Sequence, residues 1–514
     1  YGDLKEGCVT DLKDDGELQN VFIEERFVRK KYYDNYPINS LIKLFANRTD
    51  NFKMGKYNRV ELNYYEKIFN NANISFIDTQ IPLHHLCHAY ESFYTSGFNR
   101  AAILVVDGFG QNEAYGIDEK ESITLYIKNG KEIKELKKYY YPDSLGRFYQ
   151  KGRKAFGLKF NEEGHFMGIT SYGKPFEERI LSICNGQFQY HDDIVKLSNK
   201  YMGERDSLDI INSINFAATV QRDLNECVLE LVKEIKNMTN EDNLCLSGGV
   251  FNNVITNNLI CESGIFKNVW CSPAPGDFGL SIGQAYITYE ADAKDLIFHR
   301  LDNAYKGETI PYNDENIINY FINNNIKYSE ISYDDIINML IDGKVLAWFQ
   351  GASEFGRRAL GHRSLIANPG YPLMYKKLSG KIKKRAPYRP LACTVPDELF
   401  DLMFDVKNKD LTEYMLRAIL IRKEVREKVA SCTHIDGTTR PQRLRREVNS
   451  EFYDMIMAFY KKTGVPCVIN TSLNGGGEPI VESLEDLCGF LHSHEDVEGA
   501  IINGKYYISM HNKD

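Results

Sequence analysis

The sequence predicts an α/β protein of two domains, residues 1–308 and 309–514. Three features predict it. Short apolar runs end in glycine turns, helical stretches lie between those runs, and a polar, asparagine-rich stretch separates one such set from another. At 514 residues the chain has room for about three average domains or two large ones.

In the first half, Ala101 to Asp107 runs up to Gly108-Phe109-Gly110, and Asn243 to Ser247 runs up to Gly248-Gly249. Each reads as a buried strand that delivers a polar turn to a site. Between them, Ile214 to Met238 is the longest stretch with apolar residues at helical spacing. Asn303 to Asn325 contains Gly307, Pro311 and three consecutive asparagines, and reads as a turn-prone boundary. Beyond it, Val345 to Phe349 and Pro466 to Asn470 are again strand-like and end in polar or glycine-rich turns, so a second α/β domain with its own site is expected.

A formal net charge of -8 argues against stable binding to nucleic acid or an anionic membrane and favours small-molecule substrates. The 11 cysteines form no CxxC pair, so neither a disulfide framework nor a cysteine zinc ribbon is expected. No apolar run approaches the ~18 residues that span a bilayer. The opening Tyr1-Gly2-Asp3-Leu4-Lys5 lacks a secretory pattern, and the chain reads as cytoplasmic. Because it begins at Tyr1 and not at methionine, upstream residues are expected.

In His84-His85-Leu86-Cys87-His88, the spacing of His84 and His88 puts two imidazoles on one helical face, one turn apart, as two ligands of one metal require. Cys87 could also reach that face. Asp107 at a strand end and Asp277 in Pro275-Gly276-Asp277-Phe278-Gly279 are carboxylates that would complete a mixed nitrogen and oxygen shell suited to iron, manganese or zinc. Leu246-Ser247-Gly248-Gly249-Val250 and Gly164-His165-Phe166-Met167-Gly168 read as turns that admit phosphate or nucleotide to backbone amides. With the Asp107-Gly108 turn, they suggest a nucleotide cleft of the actin, Hsp70 and sugar-kinase type. Gly108, Gly168, Gly248, Gly249 and nearby Asn253 are its candidate contacts. In the second half, Glu354 to Ser364 brings Arg357, Arg358 and Arg363 beside Gly356 and Gly361. Lys383, Arg385, Arg389 and the strand-end set Asn470 to Gly475 add donors that could hold a multiply charged phosphate compound.

The order of these motifs, with Glu24-Glu25-Arg26-Phe27, Arg389-Pro390 and Asp436-Gly437-Thr438-Thr439-Arg440, resembles the nodulation and antibiotic O-carbamoyltransferases over nearly the whole chain. The resemblance implies an actin/Hsp70-like N-terminal domain, akin to the threonylcarbamoyl-transfer protein, and a YrdC-like C-terminal domain. In that family the C-terminal domain makes carbamoyl adenylate from carbamoyl phosphate and ATP with Mg2+. The N-terminal domain then moves the carbamoyl group to a hydroxyl at its metal, which the family suggests is Fe2+. By motif, His84, His88, Asp107 and Asp277 match the metal ligands. Lys383, Arg385, Ser472 and Asn474 match the YrdC-like lysine-x-arginine and serine-x-asparagine pairs, with Arg358, Arg363 and Arg440 as further anion contacts.

The chain departs from the family pattern at several positions. Tyr1-Gly2-Asp3-Leu4 lacks the usual histidine, Tyr32 stands near another, His165 replaces a lysine, Arg357 a proline and Ala386 a glutamate. The general base for the acceptor is therefore not assigned. Two rival readings are a macromolecular acceptor, as in tRNA threonylcarbamoylation or hydrogenase maturation, and an actin/Hsp70-like ATPase without transfer. The first is disfavoured by the acidic balance and the absence of CxxC repeats, and the second leaves the histidine pair and the arginines without a purpose. The expected partner is a small-molecule hydroxyl acceptor, with no stable nucleic acid and no membrane, and self-association is left open.

Overall fold

The computed structural model describes residues 8–13, 15–23, 52–56, 74–78, 84–110, 120–202, 210–307 and 313–510. The expectations for Tyr1 to Leu4, Glu24 to Phe27 and Tyr32 lie outside the described residues. The architecture is mixed α/β, built on two large sheets.

The first sheet has five strands, β1 (Arg100–Val106), β2 (Glu121–Asn129), β3 (Glu132–Tyr140), β4 (Asn243–Ser247) and β5 (Asn268–Cys271), in the order β5-β4-β1-β2-β3. Strands β1, β4 and β5 are mutually parallel, while β2 is antiparallel to both β1 and β3. From Ala101 to Val106, β1 is wholly buried, as its unbroken apolar run requires of a central parallel strand. Its helical neighbours are α1 (His84–Ser96), α2 (Leu145–Ala155), α3 (Ile210–Thr239) and α4 (Leu280–Asp292). The helix expected from Ile214 to Met238 is α3, extended at both ends to 30 residues. Helices α1 and α4 cross closely because Gly283 has no side chain. A Cβ there would lie 1.9 Å from the carbonyl oxygen of Cys87.

The second sheet has eight strands, β6 (Tyr328–Glu330), β7 (Leu346–Phe349), β8 (Arg363–Ala367), β9 (Cys393–Pro396), β10 (Pro441–Leu444), β11 (Val468–Ser472), β12 (Gly499–Ile502) and β13 (Tyr506–Ile508). Their order is β6-β13-β12-β7-β8-β11-β9-β10. Both faces are covered. Along β7, Ala347 and Phe349 enter one apolar cluster while Leu346 and Trp348 enter another, so the strand-like run from Val345 is apolar throughout.

The asparagine-rich stretch is not simply turns. Residues Asp314–Asn323 form a helix whose N-cap, Asn313, accepts a bond from the amide of Asn316. Ile317 and Phe321, one turn apart, are fully buried in the second core. Asparagine content suggested a boundary loop, but a cap and two apolar anchors sufficed for a helix.

Candidate metal centre and anion site

The three parallel strands end at the same edge of the first sheet, where α/β folds present their sites. Strand β1 delivers Asp107, β4 delivers the Ser247-Gly248-Gly249 turn, and β5 leads to the turn carrying Asp277. Helix α1 starts at His84 and supplies His84 and His88 from its first two turns. One ligand atom from each of His84, His88, Asp107 and Asp277 lies within 4.8 Å of all the others. His84 Nε2 is 3.1 Å from Asp107 Oδ2 and 3.8 Å from Asp277 Oδ1, and His88 Nε2 is 4.0 and 3.7 Å from the same atoms. With metal bonds of about 2.1 Å, ligand atoms stand about 3.0 Å apart at a right angle and about 3.4 Å at the tetrahedral angle, so the four atoms span one divalent ion. His88 Nε2 is buried and has no hydrogen-bond partner, as a ligand lone pair would be left.

The surroundings tune these groups. Burial alone would lower the His84 pKa, but the hydrogen bond and charge of Asp107 raise it above the ordinary value. Burial works against the Asp107 carboxylate, yet the histidines hold its pKa well below the usual carboxylate range. His85 points elsewhere, its Nδ1 2.7 Å from Thr124 Oγ1, and burial pushes its pKa down to about 3. Burial pushes the Cys87 thiol up to about 12, unlike a thiolate ligand, and it donates to Gln284.

Several expected nucleotide contacts occupy different roles. Gly164 to Gly168 is not a turn but part of the helix Glu163–Thr170. There a Cβ on Gly168 would meet the carbonyl oxygen of Tyr388 at 3.6 Å, an ordinary contact. Asn253 is the N-cap of the helix Val254–Ser263. Its Oδ1 accepts from the amides of Ile255 and Thr256, and its Nδ2 donates to Gln221. Gly249 adjoins the candidate metal ligands, and Gly248 packs on the β1 backbone. The Gly249 amide donates to Asp107 Oδ1 at 3.1 Å, and a Cβ on Gly248, at φ +103°, would strike the carbonyl oxygen of Val106 at 2.3 Å. At Gly108, Arg147 and Gln150 lie 3.9 Å from the place of the missing Cβ.

In the second half, the lysine-x-arginine and serine-x-asparagine pairs meet. Lys383 Nζ donates to Ser472 Oγ at 3.0 Å, to the Asn474 carbonyl oxygen at 2.9 Å and to Asn474 Oδ1, while Ser472 Oγ donates to Asn474 Oδ1 at 2.7 Å. Arg358, Arg385 and Arg440 gather with Arg389. Burial, followed by repulsion from neighbouring guanidiniums, pushes Arg358 and Arg385 down to about 10 and Arg440 well below its ordinary value. Arginine stays charged at neutral pH, so the shifts measure unmet positive charge. Among the described residues none of these arginines has a carboxylate within ion-pair distance, and Arg440 Nε is a buried donor without a partner. Arg363 must be withdrawn from the anion contacts. It is fully buried, stacks on Phe349 and donates to the carbonyl oxygens of Gln350, His362 and Glu482.

The two sites adjoin. Arg357, in the place of a family proline, lies over the ring of Phe278, beside Asp277, at 4.9 Å. Arg389 donates to His165 Nε2 at 2.6 Å, and burial followed by the Arg389 charge lowers the His165 pKa. A neutral imidazole can accept from that guanidinium.

A family model described as carbamoyltransferase N-terminus matches residues 11–286, and one described as carbamoyltransferase C-terminus matches residues 337–508. The chain belongs to the carbamoyltransferase family. Among its relatives is nodulation protein NolNO of Sinorhizobium fredii, 30% identical over 85% of this chain and 64% of that protein. Another is the 3'-hydroxymethylcephem-O-carbamoyltransferase of Amycolatopsis lactamdurans, 29% identical over 55% of this chain and 52% of that one. An uncharacterised protein of Methanocaldococcus jannaschii is 27% identical over 96% of each chain. The chain thus spans 64% of NolNO and nearly all of the uncharacterised archaeal protein. A full-length HypF structure in the phosphate- and nucleotide-bound form aligns with a TM-score of 0.37 and 15% identity, over 51% of this chain and 43% of that one. Among the described residues no helix is long and apolar enough to cross a membrane.

Sequence reasoning missed Glu91, one helical turn beyond His88, although a His-x3-His-x2-Glu spacing on one face carried the signal. It also read Ser247 as part of a phosphate turn. Burial pushes the Glu91 carboxyl up to about 8, against the opposing hydrogen bonds from Ser272 and Ser247.

Proposed function

We propose that this protein is an ATP-dependent O-carbamoyltransferase that works in two steps, dividing the labour between residues 1–308 and 309–514. The reading rests above all on one juxtaposition: two histidines and two carboxylates converge beside a set of arginines that, among the described residues, has no carboxylate within ion-pair distance.

In the first step, Arg358, Arg385, Arg389 and Arg440 neutralise phosphate charge so that carbamoyl phosphate and ATP, carried with Mg2+, can lie together. Water cleaves carbamoyl phosphate to carbamate and phosphate. A carbamate oxygen then attacks the α-phosphorus of ATP and expels pyrophosphate, leaving carbamoyl adenylate. Lys383, fixed by Ser472 and Asn474, places one positive charge at the inner wall of that site.

In the second step, an acceptor hydroxyl attacks the carbamoyl carbon, loses its proton, and AMP departs with the electron pair of the broken C–O bond. His84, His88, Asp107 and Asp277 would hold a divalent ion, Fe2+ by family, with Mn2+ or Zn2+ also suited to the donor set. When bound, that ion supplies positive charge to polarise the carbamoyl oxygen. Gly249 holds Asp107 through its Oδ1 and leaves Oδ2 facing the histidines. The acceptor is taken to be a small molecule, as the name of the cephem relative indicates for that protein.

The test is to incubate the metal-loaded protein with carbamoyl phosphate and ATP and measure pyrophosphate. Release that requires both substrates is expected. A folded, metal-loaded protein that releases none overturns the reading.

A further inference from the structure

The Ser247-Gly248-Gly249 turn resembles a phosphate loop in sequence, yet its polar groups point at two candidate metal ligands on other elements. Ser247 is fully buried at the end of β4, and its Oγ has three polar neighbours: His88 Nδ1 at 3.1 Å, Glu91 Oε2 at 3.0 Å and the carbonyl oxygen of Pro275 at 3.1 Å. Two turns of one helix, the end of one strand and the Asp277 turn therefore meet at one hydroxyl.

A hydroxyl has a single hydrogen to give. Pro275 offers only an acceptor. With Glu91 ionised, Ser247 donates to Glu91 or to Pro275. With Glu91 protonated, Glu91 can donate to Ser247 and Ser247 to Pro275. Either way the remaining lone pair of Ser247 faces His88 Nδ1, which must carry the proton. The opposite tautomer would turn the Ser247 hydrogen to His88 and strand one more acceptor against a bare oxygen: Pro275 when Glu91 is protonated, and both Pro275 and Glu91 when it is ionised. We infer that Ser247, backed by Glu91 and Pro275, is a positioning residue that holds His88 as the Nδ1–H tautomer with Nε2 bare for the metal, while Gly249 orients Asp107.

Independent support comes from His88 Nε2, which is buried without a partner. A ring fixed through Nδ1 and unbonded at Nε2 is what an outer partner of a metal-binding histidine produces. The inference rests on the metal reading of the proposed function, and the experiment separates the two.

Apo protein is titrated with Co2+ in competition with a chelator, and the Co2+ absorption band is recorded. Wild type should bind, and His88→Ala should not. Ser247→Ala should bind about 10- to 100-fold more weakly, with a shifted band, while the melting temperature of its apo form stays near wild type. Ser247→Thr, which keeps the hydroxyl, should recover most of the affinity. If wild type binds no Co2+, the metal reading falls and the inference with it. If wild type binds and folded Ser247→Ala binds within twofold of it, only the positioning role is overturned. Should Ser247→Ala not fold, near-isosteric Ser247→Cys decides: wild-type affinity overturns the role, and a several-fold loss supports it.

Discussion

The guanidinium of Arg357 lies 4.9 Å from the centre of the Phe278 ring, so a residue next to Arg358 in the anion site touches a residue next to Asp277 in the metal cluster. Gly356 makes this approach possible, since a Cβ there would meet the carbonyl oxygen of Pro273 at 2.4 Å. The two candidate sites meet at this contact but are built from separate side chains, which makes the two proposed steps separable by mutation.

His84→Ala is expected to keep pyrophosphate release within a few-fold of wild type and to lower carbamoyl transfer by at least about 10²-fold. Arg385→Ala should abolish both. Pyrophosphate and carbamoylated product are measured in the same reactions. Intact pyrophosphate release by Arg385→Ala would remove the arginine cluster from adenylate formation.

Stripping bound metal with a chelator, then removing the chelator and assaying with Mg2+ to carry ATP, should mimic His84→Ala, stopping transfer while pyrophosphate release continues. Adding back Fe2+ should restore transfer, whereas Mg2+ alone should not, because two imidazoles favour a softer ion than magnesium.

Arg363 and Arg358 should separate stability from activity. Arg363→Ala strands the carbonyl oxygens of Gln350 and Glu482 in the core and should cost about 3 kcal/mol or more in denaturant unfolding. Arg358→Ala relieves repulsion from Arg357 and Arg389, and should leave stability within about 1 kcal/mol while pyrophosphate release is lost.

Glu91 gives a pH signature. Its pKa of about 8 in the folded protein lies above the ordinary carboxyl value, so the folded state binds the extra proton across the interval between them. Stability contributed at low pH is therefore lost as pH rises toward 8, at up to about 1.4 kcal/mol per unit. Urea midpoints should fall more steeply with pH for wild type than for Glu91→Gln, and parallel slopes would contradict the assignment.

Two glycines that look alike in sequence should respond oppositely to alanine. Gly168→Ala, in a helix with room for a Cβ, should hold or raise the melting temperature. Gly248→Ala should lower it markedly, because the residue has φ +103° and its new Cβ would collide with Val106.

The sequence by itself determined the mixed α/β class, the strand ends at Asp107 and Ser247, the long helix, and the pairing of His84 with His88 on one helical face. These follow from local signals: strand-length apolar runs broken by glycine, and an i,i+4 histidine pair that any helix places on one face. Only the tertiary structure decided what the remaining polar groups do. Whether Gly168 sits in a turn or a helix, whether Arg363 faces an anion or a carbonyl, and whether Ser247 serves phosphate or His88 depend on partners brought in from distant elements. A hydrogen-bonding group looks the same in sequence whatever it bonds, and in the folded chain those partners are residues 119 and 159 positions away.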